Sequence, residues 1–429
     1  MNPGLNRSPY LQADTLALGT ALIVALTLGG GTRTSLWTDA IVQIVMILAS
    51  VFVIVRQSNG HISRPIMILI CTGAAIFVVQ LFPGIGHIAI IFQGLMSGVD
   101  PELIQRSWLP PATLGLSRTL EVLLYFSSLA LLLVAVSKID ARILLALFPF
   151  VFFGFAIQIV FAIADLAGDA SPMKLLNVLP YRFPTGLVAN GNHLATILFT
   201  SIPLAFAYFR ATKRIGFLVL YLVFAMLALL AGGSLAGALL GFTVMGLCLY
   251  FSVMNNVGRR FRLPIFAVAT AALGVVGYAV AVRIGAENFE TGLGRPEFFR
   301  TTLVGIWDNL FFGIGLGNFK LGYPAYEDPH MIFNTIVNHA HNDYLELVFE
   351  GGLLAVAALV LYFVLFVQRV ARIWRQPFAK ELAVGIAVVL LHSAVDYPLR
   401  TLAVASLFVF MNGMLFHRAF SPRKRKISD

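Results

Sequence analysis

The sequence predicts an all-α polytopic membrane protein with about twelve transmembrane helices and a helical loop subdomain outside the bilayer. Three observations carry that prediction. The 429-residue chain is 59% hydrophobic and only 12% charged, against roughly 25% charged residues in an average soluble domain. Its mean hydropathy is +0.87. The apolar residues also fall into runs of membrane-crossing length, separated by short segments rich in Lys and Arg.

Taken in order, the apolar stretches are Asp14–Gly30, Thr38–Val55, Pro65–Leu81, Thr119–Val136, Ala141–Ala162 and His193–Phe209. They continue with Ile215–Leu230, Ser234–Met254, Leu263–Val282, Asp343–Val367, Glu381–Val395 and Thr401–Phe416. The first resembles a signal-peptide core over Leu16–Leu28, but no cleavage box follows, so it reads as an uncleaved span. Cys71 and Cys248 lie in apolar runs and offer neither a disulfide framework nor a metal-binding spacing. Residues 1–429 thus read as one integral membrane domain.

Charge sets the expected orientation. Twenty of the 30 Lys and Arg residues fall in alternate connections, together with both termini, and ten fall in the opposite set. The richer side is cytoplasmic by the positive-inside rule. The net charge of +10 is then mostly topological and implies no nucleic-acid partner. The terminal Arg423-Lys424-Arg425-Lys426 suits an anionic lipid surface.

The opposite side holds the longer connections. Phe82–Arg118 contains Leu103–Trp108 before Pro110-Pro111, which suggests a short re-entrant or interfacial helix. Residues 283–342, between the ninth and tenth spans, form the large loop subdomain. Within it Glu297–Leu310 spaces Phe298, Phe299, Leu303, Ile306, Trp307 and Leu310 as an amphipathic helix at the membrane surface. Gly313-Ile314-Gly315-Leu316-Gly317-Asn318 follows. No strand precedes this run, so it reads as a tight turn and not a dinucleotide fingerprint.

The chemistry concentrates in His339-Ala340-His341-Asn342-Asp343-Tyr344-Leu345-Glu346, continuing to Glu350-Gly351-Gly352. Polar groups at the mouth of a membrane helix are costly to keep and mark function. On a helix from Asn342 onward, Asn342, Glu346 and Glu350 share one face, with His341 at its entrance. The simpler reading of the same residues is a cap and a solvated first turn. His339 and His341 could also ligate a metal with Asp343 and Glu346 nearby. No third histidine stands at close spacing, and the expectation is no metal and no cofactor. His392 and Asp396, four residues apart on the eleventh span, are expected to pair. No nucleophile elbow supports a Ser-His-Asp arrangement.

Arginines on the basic-poor side complete the candidate site. Arg182 lies in a loop with Asn190 and Asn192, Arg295 in Gly292-Leu293-Gly294-Arg295-Pro296, and Arg300 at the amphipathic helix. A guanidinium is a planar, permanent cation matched to phosphate oxygens. With the amide-rich loop, Arg182 and Arg295 would bind a lipid diphosphate head. Taken singly, each arginine is better read as an ordinary loop arginine paired with Glu287, Glu290 or Glu297; taken with the histidine stretch, Arg182 and Arg295 point to function.

Four segments together resemble the O-antigen ligase and polymerase superfamily. They are Arg182 through Ala195; Gly294-Arg295-x-x-Phe298 with Trp307 and Gly313-x-Gly315-x-Gly317-Asn318-Phe319; His339 through Glu346 with Glu350 and Gly352; and His392 through Arg400. The likeness runs from about Tyr181 to Phe416. One departure is Ser234-Leu235-Ala236-Gly237, where the family often carries Ser-Arg-Gly.

The resemblance implies a bacterial inner-membrane glycosyltransferase acting without a metal on the periplasmic side. It would move a glycan from an undecaprenyl-diphosphate carrier to an acceptor hydroxyl. Ligases of the family use lipid A–core as acceptor, polymerases a second carrier-linked repeat, and some relatives use proteins. Matching the family's histidine ten residues before its glycine selects His341 as general base. Arg182 and Arg295 would stabilise the diphosphate leaving group. Glu346 and Glu350 would orient His341 or the acceptor, with His339, Asn342, Arg300, Asn190 and Asn192 also contacting substrate. In-line attack would invert the anomeric centre. A lipid-glycan flippase or transporter is the competing class, but it would place its polar site near the midplane.

Overall fold

The protein is described by a computed structural model over residues 12–32, 36–82, 84–86, 88, 112–166, 185–253, 264, 295–328 and 336–420. The described residues form helices joined by turns. In chain order these are α1 (Ala13–Leu28), α2 (Trp37–Arg56), α3 (Arg64–Leu81), α4 (Leu116–Lys138), α5 (Ala141–Ala146), α6 (Phe148–Leu166) and α7 (Gly191–Ala211). They continue as α8 (Ile215–Ala231), α9 (Leu235–Val253), α10 (Arg295–Asp308), α11 (Phe319–Gly322), α12 (Asp343–Ile373), α13 (Ala379–His392) and α14 (Leu402–Leu415).

Seven helical stretches among the described residues are long and apolar enough to cross a membrane. They are α2, α3, α4, the joined α5–α6 stretch, α7, α9 and α12. The helices α1, α8 and α14 are equally apolar but shorter. Eleven of the twelve stretches read from the sequence coincide with helices. The other, Leu263–Val282, lies outside the described residues except for Pro264. Also outside them are Arg182, the predicted Leu103–Trp108 helix and the terminal basic run.

Burial separates the helices by role. α7 is buried around its whole circumference, with every residue from His193 to Tyr208 buried, the polar His193, Thr196, Thr200 and Ser201 among them. It sits inside the bundle and packs against α8, α9 and α13. α1 packs on α2, α6 and α14, and α4 joins α2 and α14. By contrast α2 exposes Ile44, Leu48 and Val55, α8 exposes Phe217, Val219 and Leu220, and α12 exposes Val360, Val364 and Val367. Such faces would be a liability in water, and they suit hydrocarbon.

One break positions the site. Asn342 caps α12, its Oδ1 accepting from the Tyr344 and Leu345 amides, each at 3.0 Å. Two turns later Gly352 leaves the helix at φ 61° and ψ −150°. The break frees the carbonyls of Phe349 and Glu350. Ile314 N donates to the first at 3.1 Å and Gly315 N to the second at 3.0 Å. Gln80 on α3 clamps the same joint, donating to the Glu350 carbonyl at 2.7 Å and accepting from Leu316 N at 3.0 Å. The glycine run is therefore a turn, as its composition predicts, and it docks edge-on against the kink. A side chain at Gly313 is excluded, since its Cβ would sit 2.2 Å from the Glu350 carbonyl oxygen. A small apolar core of Ile314, Phe319, Tyr323, Val337, Ala340 and Phe349 fills the space between this turn and α12.

Candidate active site

The site is built where the 339–346 segment meets the turn between α13 and α14. His341 adopts a left-handed backbone, φ 52°, a conformation in which histidine is enriched among non-glycine residues. This kink sits immediately before the Asn342 cap. Asn342 Nδ2 also donates to the Ala394 carbonyl at 2.8 Å, and Asp343 N donates to the Ser393 carbonyl at 2.9 Å. The start of α12 is thus fastened to the end of α13.

The fastening brings His341 to Asp396. Nδ1 lies 3.2 Å from Asp396 Oδ1, which also accepts from Tyr397 N at 3.0 Å. Asp396 is fully buried, and its carboxyl is held well below the usual carboxylate range. Burial alone would raise it, but the His341 hydrogen bond and the charges of His193, His392 and His341 outweigh burial. An ionised Asp396 accepts a proton-bearing Nδ1, which leaves the Nε2 lone pair of a neutral His341 free. The His341 side chain is 23% exposed, so the imidazole is anchored behind and open in front. Phe298 of α10 stacks on it at 5.8 Å between centroids.

His339 forms a second, separate pair. Its Nδ1 lies 2.8 Å from Glu346 Oε1, while Glu346 Oε2 accepts from Ala340 N at 2.9 Å. The expectation that Glu346 or Glu350 orients His341 does not match this geometry: Glu346 reaches His339, and Asp396 reaches His341. The ring of Tyr397 lies between the pairs, stacked on His339 at 4.1 Å and edge-on to His341 at 4.9 Å.

Beneath both pairs sits Arg400. Its Nη1 is 2.8 Å from Glu350 Oε2, and its Nε is 3.5 Å from Glu346 Oε1 and 3.8 Å from Asp343 Oδ1. One guanidinium is shared by three buried carboxylates. Burial alone would lower its pKa, but Glu346, Glu350 and Asp343 together raise it. Glu350 Oε1 also accepts from Phe319 N at 3.1 Å, tying the clamp to the glycine turn.

The remaining predicted residues divide. Arg295 heads α10, half-buried, close enough to His392 for its charge to be felt there. Asn190 caps α7, accepting from Asn192 N at 2.9 Å, and the Asn192 carbonyl accepts from Thr196 Oγ1 at 2.8 Å. Arg300 lies on the exposed face of α10, 75% exposed and 3.9 Å from Glu297. The expected His392–Asp396 side-chain pair is not formed. His392 Nδ1 instead lies 2.8 Å from Thr196 Oγ1, because α13 ends at His392 and the chain turns before Asp396. Sequence reasoning left Asp396, Tyr397, Arg400 and His193 out of the site. The available signal was Arg400 itself, an arginine on the basic-poor side directly after His392-x-x-x-Asp396-Tyr397-Pro398.

Fold and site together define a helical membrane protein with a carboxylate-anchored, partly open histidine at one end of its bundle. A family model described as O-Antigen ligase matches residues 183–360, the stretch that carries Arg295, the glycine turn, both histidines and Glu350. That match supports the O-antigen ligase/polymerase superfamily over less than half of the chain. No curated protein matches the chain.

Proposed function

We propose that the protein is a membrane glycosyltransferase that moves a glycan from undecaprenyl diphosphate to an acceptor hydroxyl at the periplasmic face. The observation that carries this reading is the His341–Asp396 pair, with one imidazole nitrogen anchored and the other available. As the acceptor oxygen attacks the anomeric carbon, its proton passes to His341 Nε2. The glycan–diphosphate bond breaks, and the carrier diphosphate leaves as an anion that needs positive charge and not a proton. Arg295, near the histidines, and Arg182 supply that charge. Attack opposite the leaving group inverts the anomeric carbon. His339 and His341 each commit Nδ1 to a different carboxylate, which favours proton transfer over shared metal ligation.

The family match supports a ligase- or polymerase-type enzyme, and our reading is an O-antigen ligase with lipid A–core as acceptor. Polymerisation onto a second carrier-linked repeat is the alternative within the superfamily. The positive-inside asymmetry supports an inner-membrane protein with about twelve spans, cytoplasmic termini and a periplasmic site. Glycan gel analysis of a null strain separates the two assignments. A ligase null loses the whole ladder from the core, whereas a polymerase null leaves a single repeat on it. A ladder unchanged in the null strain contradicts both.

A further inference from the structure

Behind the Asp396 carboxylate lies a set of buried polar atoms that the reaction scheme does not use. His193, at the start of α7, is fully buried, and neither ring nitrogen has a hydrogen-bond partner among the described residues. The same holds for Nε2 of buried His392 and for Oδ2 of buried Asp396. Leaving such groups unpaired in the interior is costly, so several together on neighbouring residues call for a common partner.

The three residues are neighbours. His193 meets the Tyr397 ring edge-on at 4.9 Å, and Tyr397 is the residue after Asp396. His193 and Thr196 are three apart on α7 and share a face, and Thr196 holds His392. Asp396 N donates to the His392 carbonyl at 2.9 Å. His193 and His392 both act on Asp396 through their charges.

Hydrogen-bond roles can be assigned around this point. Thr196 Oγ1 donates its one proton to the Asn192 carbonyl, so it accepts from His392 Nδ1–H. Neutral His392 then presents a bare Nε2 lone pair. Asp396 Oδ2 is a second acceptor. Neither can satisfy the other, and His193 has one N–H to offer. A molecule with two donors and a lone pair completes the set: it donates to Asp396 Oδ2 and His392 Nε2 and accepts from His193. That is the pattern of a buried water, which typically has about three polar partners.

We infer that a buried water joins His193 and His392 to the inner oxygen of Asp396, and that His193 is thereby a positioning residue for His341. The second half of this rests on the reading of His341 as base; the water does not. Each donor on Asp396 reduces the negative charge felt at His341 Nδ1. The His193 N–H polarises the water that donates to Asp396, so its loss weakens that donor and strengthens the attraction of Asp396 for an imidazolium at His341. Also facing this region are Tyr397, whose ring meets both His193 and His341, His339, paired with Glu346, and Arg295, beside His392. All three remain in place when His193 is changed.

Two measurements test this. A cryo-electron microscopy map of the full chain in nanodiscs, at a resolution that shows waters, should contain a peak within about 3.2 Å of His193, His392 Nε2 and Asp396 Oδ2. No peak there, or side chains repacked to bond one another, overturns the site. The second is the pH dependence of kcat/KM for glycan transfer. In His193→Phe, which keeps the ring but not the donor, the acid limb should move up by about one pH unit. In His193→Gln, whose amide can donate to the same water, the limb should return toward the wild-type position. A limb unmoved in His193→Phe overturns the positioning role. Full transfer by His341→Ala would instead remove the base reading and leave the water peak standing.

Discussion

His341 Nδ1 and Asp396 Oδ1 meet at 3.2 Å although 55 residues separate them in the chain. The contact exists because the cap at Asn342 and the end of α13 are bonded to each other, through Ala394 and Ser393. The imidazole therefore has a fixed tautomer and a fixed direction before any substrate arrives, which is what a general base requires.

Asp396→Asn should preserve shape while presenting an amide in place of a charge. Its Oδ1 or Nδ2 can still meet His341, but the imidazolium loses its counterion. Transfer should fall by about a hundred- to ten-thousand-fold, measured with carrier-linked glycan and purified protein in nanodiscs. The same variant tests a stability effect. Asp396 titrates below its ordinary value of 3.8 in the folded state, so its charge stabilises the fold above that pH. This contribution is lost as pH falls from 3.8 through the depressed folded value. Wild type should therefore exceed Asp396→Asn in thermal stability at pH 7, and the gap should close in strong acid. A gap that widens on acidification would contradict the assignment.

Arg400→Ala removes the guanidinium shared by Asp343, Glu346 and Glu350. Breaking a buried ion pair by deleting one partner costs about 3–5 kcal/mol. Thermal unfolding in detergent, followed by tryptophan fluorescence, should show a clear drop. Arg400→Ala combined with Glu350→Gln should recover part of it, because one uncompensated charge is then gone. No recovery in the double variant would show that the two side chains are not coupled.

Much of this could be read before the fold was known. The apolar run of α7, the Asn342 cap and the 313–317 turn follow from residue types with strong local preferences. The pairing of His341 with Asp396 could not be read. Spacing of four suggested that Asp396 faces His392 on one helix. That inference fails where the helix stops. Tyr397 precedes Pro398, and a residue before proline is biased away from helical backbone, so the chain leaves α13 and turns Asp396 toward a distant element. Arg400 was visible as a misplaced cation, but its three carboxylates lie on α12, and only packing brings them round it. Glu346 and Glu350 did share a face as expected; which group each one meets depends on tertiary contacts that periodicity does not encode.

Gly352→Ala tests the break in α12. The backbone there, φ 61° and ψ −150°, is essentially restricted to glycine, and strain of this kind costs about 1–3 kcal/mol. A Cβ would also lie 2.7 Å from Gly313 N and from the Phe311 carbonyl oxygen. The variant should lose thermal stability and transfer together, since the glycine turn holds Glu350 through Phe319. Unchanged stability would mean the helix runs straight through this position.

The most direct measurement compares donor binding with transfer in His341→Ala. The side chain is part-exposed and makes one hydrogen bond, so its removal should leave folding, membrane insertion and affinity for the lipid-diphosphate donor close to wild type. Transfer to the acceptor should fall by about a hundred- to ten-thousand-fold, while Arg295→Ala should instead weaken donor binding. Transfer by His341→Ala within a few-fold of wild type would contradict the account, because the acceptor's proton would then be lost without His341.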